Sequence, residues 1–220
     1  MVLVNNQPYG EDIMKLYYHS MSPNGRRAIV TLRQLGLEAE EVLVDFARGD
    51  LATPAYKALN PNQKIPTLVD GDFVLWESNA IMQYLASKKP ASGLLPTDER
   101  ARADVLRWQC WNLAHFAPAA GAYNWENLLK KSFGGGDPDT AKLSAAEPEM
   151  TRFGGVLDRH LLGKSYLCGE RLTVADLAIA CTLMYRSAAR VPLAPFGEIR
   201  RWMDSIEALP SWQSTQPKFG

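Results

Sequence analysis

The chain of 220 residues has little of several features that would assign it to a specialised class of protein. Its charge is balanced, since 24 basic and 24 acidic residues give a net charge of +0, and it has no lysine- or arginine-rich block. Electrostatics therefore give no reason to expect a nucleic acid or an anionic membrane as a partner. No apolar run is long enough to span a bilayer. The N-terminal MVLVNNQPYGEDIM has no charged segment followed by an apolar one, so we expect no secretory signal.

Cysteines are also few. Cys110, Cys168 and Cys181 are an odd number, lie far apart, and form neither a CxxC pair nor a cluster with metal-ligand spacing. This scarcity predicts free, mostly buried thiols in a reducing cytoplasm, without a bound metal.

What the chain does have is an ordinary globular composition, 46% hydrophobic and 22% charged, and enough length for one large domain or two small ones. The first half alternates short strand-like and helical patterns. Strands are predicted at 15–19, 41–44, 65–69 and 73–76, and helices at 26–35, 54–59 and 78–87. The Asp70-Gly71 pair between the last two strands is typical of a hairpin. The order βαβ followed by αββα predicts a thioredoxin-like domain.

From residue 98 onward the pattern is helical. Helices are predicted at 100–116, 147–162, 174–189 and 196–209, with a flexible glycine-rich loop at 133–138. We therefore expect an α/β domain followed by an all-α domain. The predicted division is an N-terminal extension 1–13, a thioredoxin-like domain 14–89, a linker 90–97 and an all-helical domain 98–220.

The loop after the first strand carries the first candidate residues, Ser22 and Asn24. It joins the carboxyl end of a strand to a helix N-terminus, which is where ligands bind in open α/β sheets. No base lies nearby in the sequence, so Ser22 is a poor nucleophile, but it can donate a hydrogen bond to an anion without one. The alternative is that Ser22 or Asn24 only caps the helix.

Two further candidate segments lie at the start of a strand and at the start of a helix. Pro66 opens the third strand, and a cis bond there would turn the backbone of Ile65 outward to pair with an extended peptide. The alternative is an ordinary trans proline. At Glu77 and Ser78, free N–H groups, a hydroxyl and the helix dipole favour a carboxylate, while the Glu77 carboxylate can pair with an ammonium group. Here too the alternative is helix capping.

Together and in this order, the segments resemble the cytosolic glutathione transferase family, in its bacterial, serine-type or Nu-like members. The likeness extends from residue 15 to about 89. It rests on the serine loop, on Asn-Pro-Asn-Gln-Lys-Ile-Pro-Thr-Leu and on Trp-Glu-Ser-Asn-Ala-Ile. The resemblance implies glutathione as a co-substrate and no metal.

The resemblance also implies a role for each candidate residue. Ser22 would donate its hydroxyl to the glutathione sulfur. Asn24 is eligible for the same role, because Ser-Pro-Asn-Gly is similar to the Thr-Pro-Asn-Gly of Nu-class members. The other implied contacts are Lys64 and Gln63 to the glycine carboxylate, Ile65 with cis-Pro66 to the cysteinyl part, and Glu77 and Ser78 to the γ-glutamyl ammonium and carboxylate.

Aromatic residues recur on one face of the first helix of the second half. Trp108, Trp111 and His115 follow one another at i, i+3 and i+7, and Phe116, Tyr123 and Trp125 come next. One interpretation is an apolar pocket for an electrophile, with His115 as its polar handle. The other is an interdomain core containing a satisfied histidine.

Other polar residues are expected to be structural or exposed. His19 and His160 have no partner in the sequence that suggests catalysis. The segment from Thr173 to Asp176 is similar to the capping box of the family, with Asp in place of the usual Glu or Gln. It predicts a folding element rather than a ligand contact.

The predicted function is that of a cytoplasmic glutathione transferase, which activates the thiol for attack on a hydrophobic electrophile. A hydroxyl or amide donor near a helix N-terminus would favour the thiolate, since a free cysteine has a pKa of ~8.5. The first loop holds no cysteine, so a covalent cysteine mechanism is not expected. Two alternatives stay open: a Nu-like glutathione-dependent disulfide reductase or peroxidase, and a non-catalytic ligand-binding protein on the same fold. The resemblance further implies a homodimer, with Arg102 and Asp104 either at its interface or on a solvated helix face.

Overall fold

The first half of the chain forms a mixed β-sheet, in a computed structural model that describes residues 13–217. Its strands are β1 (Lys15–Tyr18), β2 (Glu40–Leu43), β3 (Thr67–Asp70) and β4 (Phe73–Trp76). Their order is β2-β1-β3-β4, with β1 parallel to β2 and β3 antiparallel to both of its neighbours. This arrangement confirms the predicted thioredoxin-like fold. Of the predicted extension 1–13, residues 1–12 lie outside the described part of the chain.

The helices of this half begin where the sequence supplies caps. They are α1 (Pro23–Leu35), α2 (Pro54–Leu59) and α3 (Ser78–Ser87). Both α1 and α2 start at a proline that follows a capping hydroxyl, Ser22 or Thr53. The helix predicted at 26–35 therefore begins earlier, at Pro23. It ends at Gly36, which adopts the left-handed conformation with φ 57° that favours glycine.

The second half is helical, as predicted. Its helices are α4 (Glu99–Trp111), α5 (Ala117–Asn124), α6 (Lys130–Ser132), α7 (Thr140–Leu161), α8 (Val174–Thr182), α9 (Gly197–Glu207) and α10 (Pro210–Gln213). The π-helical turns Asn112–Phe116 and Trp125–Leu129 join α4, α5 and α6. The loop predicted at 133–138 separates α6 from α7, and Asp139 caps α7 by accepting hydrogen bonds from two backbone N–H groups. The division into domains at residues 90–97 stays a prediction.

The helix predicted at 174–189 is too long, because α8 ends at Thr182. Tight turns follow, in which Leu183, Met184 and Arg186 each bond to the carbonyl three residues earlier. These turns bring the Tyr185 hydroxyl within 2.8 Å of the carbonyl of Met21 in the first loop. The apolar pattern continues beyond Thr182, but the chain there forms turns that contact the other half of the chain and not a regular helix.

Asp176 at the start of α8 confirms the predicted capping box. Its Oδ2 accepts hydrogen bonds from the backbone N–H and the hydroxyl of Thr173, at 2.9 and 2.8 Å. Its Oδ1 accepts from the Leu167 N–H at 2.8 Å and from the Trp202 indole at 3.1 Å. A single buried carboxylate therefore fixes a loop, α8 and α9 to one another.

Arg26 of α1 is one of the contacts between the two halves. Its side chain is 1% exposed and donates to the carbonyl of Trp212 at 2.9 Å, while the guanidinium lies 3.8 Å from the Trp212 ring centre. Such a cation–π contact is strong when it is desolvated. The N-terminal half is therefore anchored to α10 at the end of the described chain.

Candidate active site

Ser22 closes the loop that follows β1 and caps α1. Its Oγ accepts a hydrogen bond from the Gly25 N–H at 3.1 Å, and its carbonyl accepts one from Arg26 at 2.8 Å. Ser22 therefore caps the helix, as the alternative prediction stated. The cap uses only the lone pairs of the hydroxyl oxygen and leaves its proton unused. Within residues 13–217 the hydroxyl proton has no acceptor. Ser22 can cap the helix and donate to a bound anion at the same time.

Gly25 fixes the shape of this loop. A Cβ at this position would lie 2.8 Å from the carbonyl oxygen of His19 and 3.3 Å from both the His19 nitrogen and the Ser22 Cβ. The neighbouring atoms are mostly backbone, which cannot move aside as a flexible side chain does. The loop therefore requires glycine on steric grounds.

Asn24 lies beside Ser22 and is exposed. Its Oδ1 accepts a hydrogen bond from Arg27 Nη1 at 2.7 Å, which fixes the orientation of the amide. The amide nitrogen then faces away from the guanidinium as a donor, and it has no partner among the described residues. Ser22 and Asn24 both present a donor at the N-terminus of α1, so both predicted roles remain open.

Arg27, which the sequence analysis did not single out, links the candidate segments. Its side chain is 2% exposed and forms no ion pair within the described part of the chain. Nη1 donates to Asn24 and lies 3.4 Å from the Ser78 hydroxyl, while Nε and Nη2 donate to the Ala178 carbonyl at 3.1 Å and to Thr182 Oγ1 at 2.9 Å. Burial lowers the pKa of this guanidinium. A positive charge without an internal counterion therefore lies behind Asn24 and Ser78.

The Ile65–Pro66 peptide bond is cis, as predicted. Pro66 is buried and directly precedes β3. Because Tyr17 of β1 pairs with Thr67 of β3, the residues before β3 lie beside the end of β1 and the serine loop. The carbonyl of Lys64 accepts from the Tyr56 hydroxyl at 2.7 Å and from the Asn60 amide at 2.8 Å, which holds this segment in place. The side chains of Gln63 and Lys64 are exposed.

Glu77 and Ser78 begin α3 in an unusual conformation. Glu77 has φ 74° and ψ 112°, a region that residues with a side chain rarely adopt, and its carboxylate is exposed. Ser78 is buried, so its hydroxyl is held beside Arg27. Strained backbone of this kind is concentrated at functional sites. The serine loop and the start of α3 thus lie on two sides of the same guanidinium.

The predicted electrophile residues of the helical half lie mainly between α4 and α7. Trp108 is 5% exposed and its ring contacts those of Trp111 and His160, at 5.0 and 4.4 Å between centres. Phe116 is fully buried and stacks on Trp111 at 5.4 Å. The alternative of a packed core therefore describes Trp108 and Phe116, which belong to a buried cluster that continues into the first half of the chain.

The remaining members of that set are placed differently. His115 is exposed and stacks on Phe153 of α7, at 5.0 Å between ring centres. Tyr123 is 8% exposed, and burial raises the pKa of its hydroxyl. His160 is structural, as expected, since its Nε2 lies 2.8 Å from the Leu167 carbonyl. Only Trp111 and His115 of the predicted pocket keep substantial exposed surface.

A second group of aromatic rings lies beside the serine loop and spans both halves of the chain. We call His19, Phe46, Phe133 and Trp125 the aromatic strip. Successive ring centres lie 4.9 Å apart from His19 to Phe46, 6.3 Å from Phe46 to Phe133 and 6.1 Å from Phe133 to Trp125. Phe46, Phe133 and Trp125 are 38%, 57% and 46% exposed. Of these residues the sequence indicated only Trp125, as a neighbour of the predicted pocket; the strip as a whole has no periodic signal, because its members come from separate loops and one π-helical turn.

Comparison with known proteins decides the family. Residues 13–87 match the model of the glutathione S-transferase N-terminal domain, and residues 116–210 match that of the C-terminal domain. The chain belongs to the glutathione S-transferase family. It is a glutathione transferase with glutathione as its co-substrate. Within residues 13–217 no helix has the length and apolarity needed to cross a membrane, and no group of His, Cys, Asp and Glu side chains is placed to hold a metal ion.

Individual relatives agree with this assignment over nearly the whole chain. Glutathione S-transferase 3 of Zea mays is 36% identical over 92% of both chains. The structure of a glutathione S-transferase I bound with lactoylglutathione has a TM-score of 0.84 at 26% identity, covering 92% of this chain and 98% of that one. A glutathione transferase from Burkholderia graminis, with two glutathione molecules bound per subunit, has a TM-score of 0.82 at 27% identity over 95% and 90% of the two chains.

Proposed function

We propose that Ser22 activates the thiol of glutathione for attack on an apolar electrophile. The observation that carries this proposal is the Ser22 hydroxyl, whose oxygen caps α1 while its proton has no acceptor among residues 13–217. A hydrogen bond to the sulfur stabilises the thiolate over the thiol, and so does the positive end of the α1 dipole. Both effects raise the fraction of glutathione that is nucleophilic at neutral pH.

Glutathione carries two carboxylates and one ammonium group, and the exposed charges around the loop complement them. Neither Lys64 nor Glu77 forms an ion pair within the described residues. Lys64, with Gln63, would take the glycine carboxylate, and Glu77 would take the γ-glutamyl ammonium. Ser78 at the N-terminus of α3 would take the γ-glutamyl carboxylate, with the positive charge of Arg27 behind it. The backbone of Ile65 would pair with the cysteinyl part.

In the reaction the thiolate attacks an electrophilic carbon held against the helical half. A carbon–sulfur bond forms, and the leaving group departs with its bonding electrons or the charge passes into a conjugated acceptor. Much of the rate gain comes from holding the two reactants together. Trp111 and His115 are the predicted pocket residues with surface left to contact the electrophile, and Trp108, Phe116 and Tyr123 would support them from inside the helical half.

Asn24 favours a second candidate, the glutathione-dependent reduction of disulfides in the manner of Nu-class members. Its amide donor lies beside Ser22 and is oriented by Arg27. In this reaction a glutathione thiolate would attack a substrate disulfide, and a second glutathione would release the remaining thiol as oxidised glutathione forms. The first loop holds no cysteine to take part. The thiols are less buried than predicted: Cys110 is exposed and only Cys181 is buried, where burial raises the pKa of its thiol to about 11.

A homodimer is the assembly that we propose. Large apolar side chains are exposed on β4, at Phe73 and Trp76, on α4 at Leu106 and on the π-helical turn after it at Leu113. Faces of this kind would bury apolar area if the sheet of one subunit met the helices of the other. Arg102 is exposed near this face, whereas Asp104 pairs with Arg107 on its own helix. Light scattering at micromolar concentration tests the proposal, and a monomeric mass would overturn it.

The cytoplasm is the compartment that we propose, because the three free cysteines of the chain suit a reducing environment. A parallel assay distinguishes the candidate reactions. Chlorodinitrobenzene, a small disulfide and an organic hydroperoxide are each offered with glutathione. Turnover of chlorodinitrobenzene supports conjugation, turnover of the other two supports the second candidate, and no turnover of any of them would contradict both.

A further inference from the structure

The loop that carries Ser22 is held from the helical half as well as by its own residues. Its internal hydrogen bonds run from the Met21 N–H to His19 Nδ1 at 3.2 Å and from the Ser22 N–H to the His19 carbonyl at 3.0 Å. A further bond comes from the Tyr185 hydroxyl, which donates to the Met21 carbonyl at 2.8 Å from 164 positions away in the sequence. A residue of the helical half thus contacts the loop directly before Ser22.

The peptide group between Met21 and Ser22 is bonded at both of its polar atoms. Its carbonyl oxygen accepts from Tyr185, and its N–H donates to the His19 carbonyl. Because a peptide group is planar, two bonds on opposite sides of it set its orientation. That orientation determines the backbone of Ser22, which has φ -84° and ψ 120°, the extended geometry of a helix cap. In this geometry the Ser22 oxygen accepts from the Gly25 N–H and the hydroxyl can still donate.

Tyr185 is held in place by contacts other than its hydroxyl. It is 4% exposed and lies in the tight turns after α8, where its backbone carbonyl accepts from the Ala189 N–H at 2.8 Å. The next residue, Arg186, donates two hydrogen bonds to the carboxylate of Glu207 in α9, one of them 2.9 Å long. We therefore expect the ring to keep its position when the hydroxyl alone is removed.

The Tyr185 hydroxyl remains a donor over the whole pH range in which glutathione ionises. Burial raises the pKa of Tyr185 to about 12, although the nearby positive charge of Arg26 acts in the opposite direction. A free cysteine thiol has a pKa of ~8.5, and hydrogen-bonding or positive surroundings lower it. The titration of the bound thiol can therefore be followed while the residue that holds the loop stays protonated.

We propose that Tyr185 is a positioning residue for thiol activation: it holds the Met21–Ser22 peptide so that the Ser22 hydroxyl can donate to the sulfur of glutathione. This role rests on the proposed function of Ser22. Without the bond from Tyr185, the half-buried Met21 carbonyl would turn toward water to find another donor. The Ser22 side chain would turn with the peptide, and a hydrogen bond to the sulfur weakens steeply as its angle departs from linear.

Tyr185→Phe keeps the ring and removes the hydroxyl. We expect it to lower kcat with chlorodinitrobenzene about fivefold, the value of one neutral hydrogen bond, and to leave the KM for glutathione nearly unchanged. The pKa of bound glutathione, read from thiolate absorbance, should rise.

Tyr84→Phe is the matched control. It also removes a tyrosine hydroxyl, which donates to Asp70 Oδ2 at 2.6 Å at the opposite end of the sheet from the serine loop. It should lower the midpoint of urea denaturation and change neither kcat nor the thiol pKa. A fall in kcat as large as that of Tyr185→Phe would mean that lost stability is responsible, and the proposal would be wrong.

The double variant Ser22→Ala with Tyr185→Phe tests whether Tyr185 acts through Ser22. If it does, adding Tyr185→Phe to Ser22→Ala should change kcat less than about twofold and leave the thiol pKa where Ser22→Ala alone places it. If the two effects on kcat multiply, or if Tyr185→Phe alone changes neither quantity, the role of Tyr185 is contradicted and that of Ser22 stands. If Ser22→Ala alone leaves the thiol pKa unchanged, the role of Ser22 is itself contradicted, and that of Tyr185 with it.

Discussion

Two groups of residues beside the loop with Ser22, the proposed glutathione site and the aromatic strip, are built in different ways. In the proposed glutathione site, donors and acceptors come from backbone and capping residues in three short segments: the loop with Ser22, the cis bond before Pro66 and the strained start of α3 at Glu77. In the aromatic strip, by contrast, side chains from four separate places meet, among them Phe46 and Phe133. The proposed contacts with one invariant peptide thus depend on local backbone, whereas the strip consists of side chains that can be exchanged without changing the fold.

This difference predicts that substitutions in the proposed glutathione site and in the aromatic strip have different effects. Changes in the proposed glutathione site should affect folding and thiol activation together, because the same atoms serve both. Changes in the aromatic strip should alter the choice of electrophile and leave the free energy of unfolding nearly unchanged. The following substitutions test this contrast, from the largest expected effect to the smallest.

Arg27→Met should have the largest effect. It removes the guanidinium and leaves buried acceptors, including Thr182 Oγ1 and the Ala178 carbonyl, without this donor. We expect a loss of about 3 kcal/mol in the free energy of unfolding, measured by urea denaturation. Arg27→Lys restores a cation and should recover part of it. A loss below about 1 kcal/mol would mean that burying the unpaired charge costs as much as its hydrogen bonds contribute.

Gly25→Ala should be the next largest. The added methyl group would meet the His19 carbonyl, so the serine loop must shift. We expect a loss of about 2 kcal/mol in stability together with a raised KM for glutathione. Gly155→Ala in α7 is the matched control, since nothing lies near its Cβ position, and it should stabilise the helix by roughly 0.5–1 kcal/mol. Equal stability of the two variants would contradict the steric argument.

Ser22→Ala should lower kcat roughly tenfold and change the KM for glutathione little, because the lost donor acts mainly on the thiolate. The bound thiol pKa, read from thiolate absorbance, should rise. Ser22→Thr keeps the hydroxyl and the cap, and should retain both properties. Asn24→Ala is measured beside it: if only this variant raises the thiol pKa, disulfide reduction becomes the better functional proposal.

Trp111→Leu and Phe133→Leu should have the smallest effects, and they compare two locations for the electrophile. If the aromatic strip binds it, Phe133→Leu should raise the KM for an aromatic electrophile about threefold, the value of one aromatic contact, while Trp111→Leu should mainly lower stability. The reverse result would place the electrophile at the pocket predicted between α4 and α7.

The three segments of the proposed glutathione site could be located in the sequence because each is a short local pattern. These are a serine before Pro23, a proline at the entry to β3 and a hydroxyl at the start of α3. Each pattern alone left an alternative open, and the cis bond followed from the resemblance of the three segments together. The aromatic strip could not be predicted in this way. Its members are brought together only by the fold, and Phe133 lies in a loop whose glycines indicate nothing beyond flexibility.

Arg27 was missed for a different reason. A charged residue in an amphipathic helix is normally solvated, and the helical pattern alone predicts this for Arg27. Its acceptors Ala178 and Thr182 lie about 150 residues away, so only the packing of α1 against α8 reveals them. A tertiary contact also explains why the helix predicted at 174–189 ends early. After Thr182 the chain turns, and the Tyr185 hydroxyl donates a hydrogen bond to the first loop.

The two buried arginines of α1 limit how the two halves of the protein can be exchanged with those of relatives. Arg26 and Arg27 donate to Trp212, Ala178 and Thr182, which all belong to the helical half. A fragment ending near Ser87 would therefore retain both cations and lose every one of these acceptors. Consider chimeras that join this N-terminal half to the helical half of a relative at the predicted linker 90–97. They should be folded and active only when the incoming half supplies a hydroxyl at the place of Thr182 and an aromatic ring at that of Trp212.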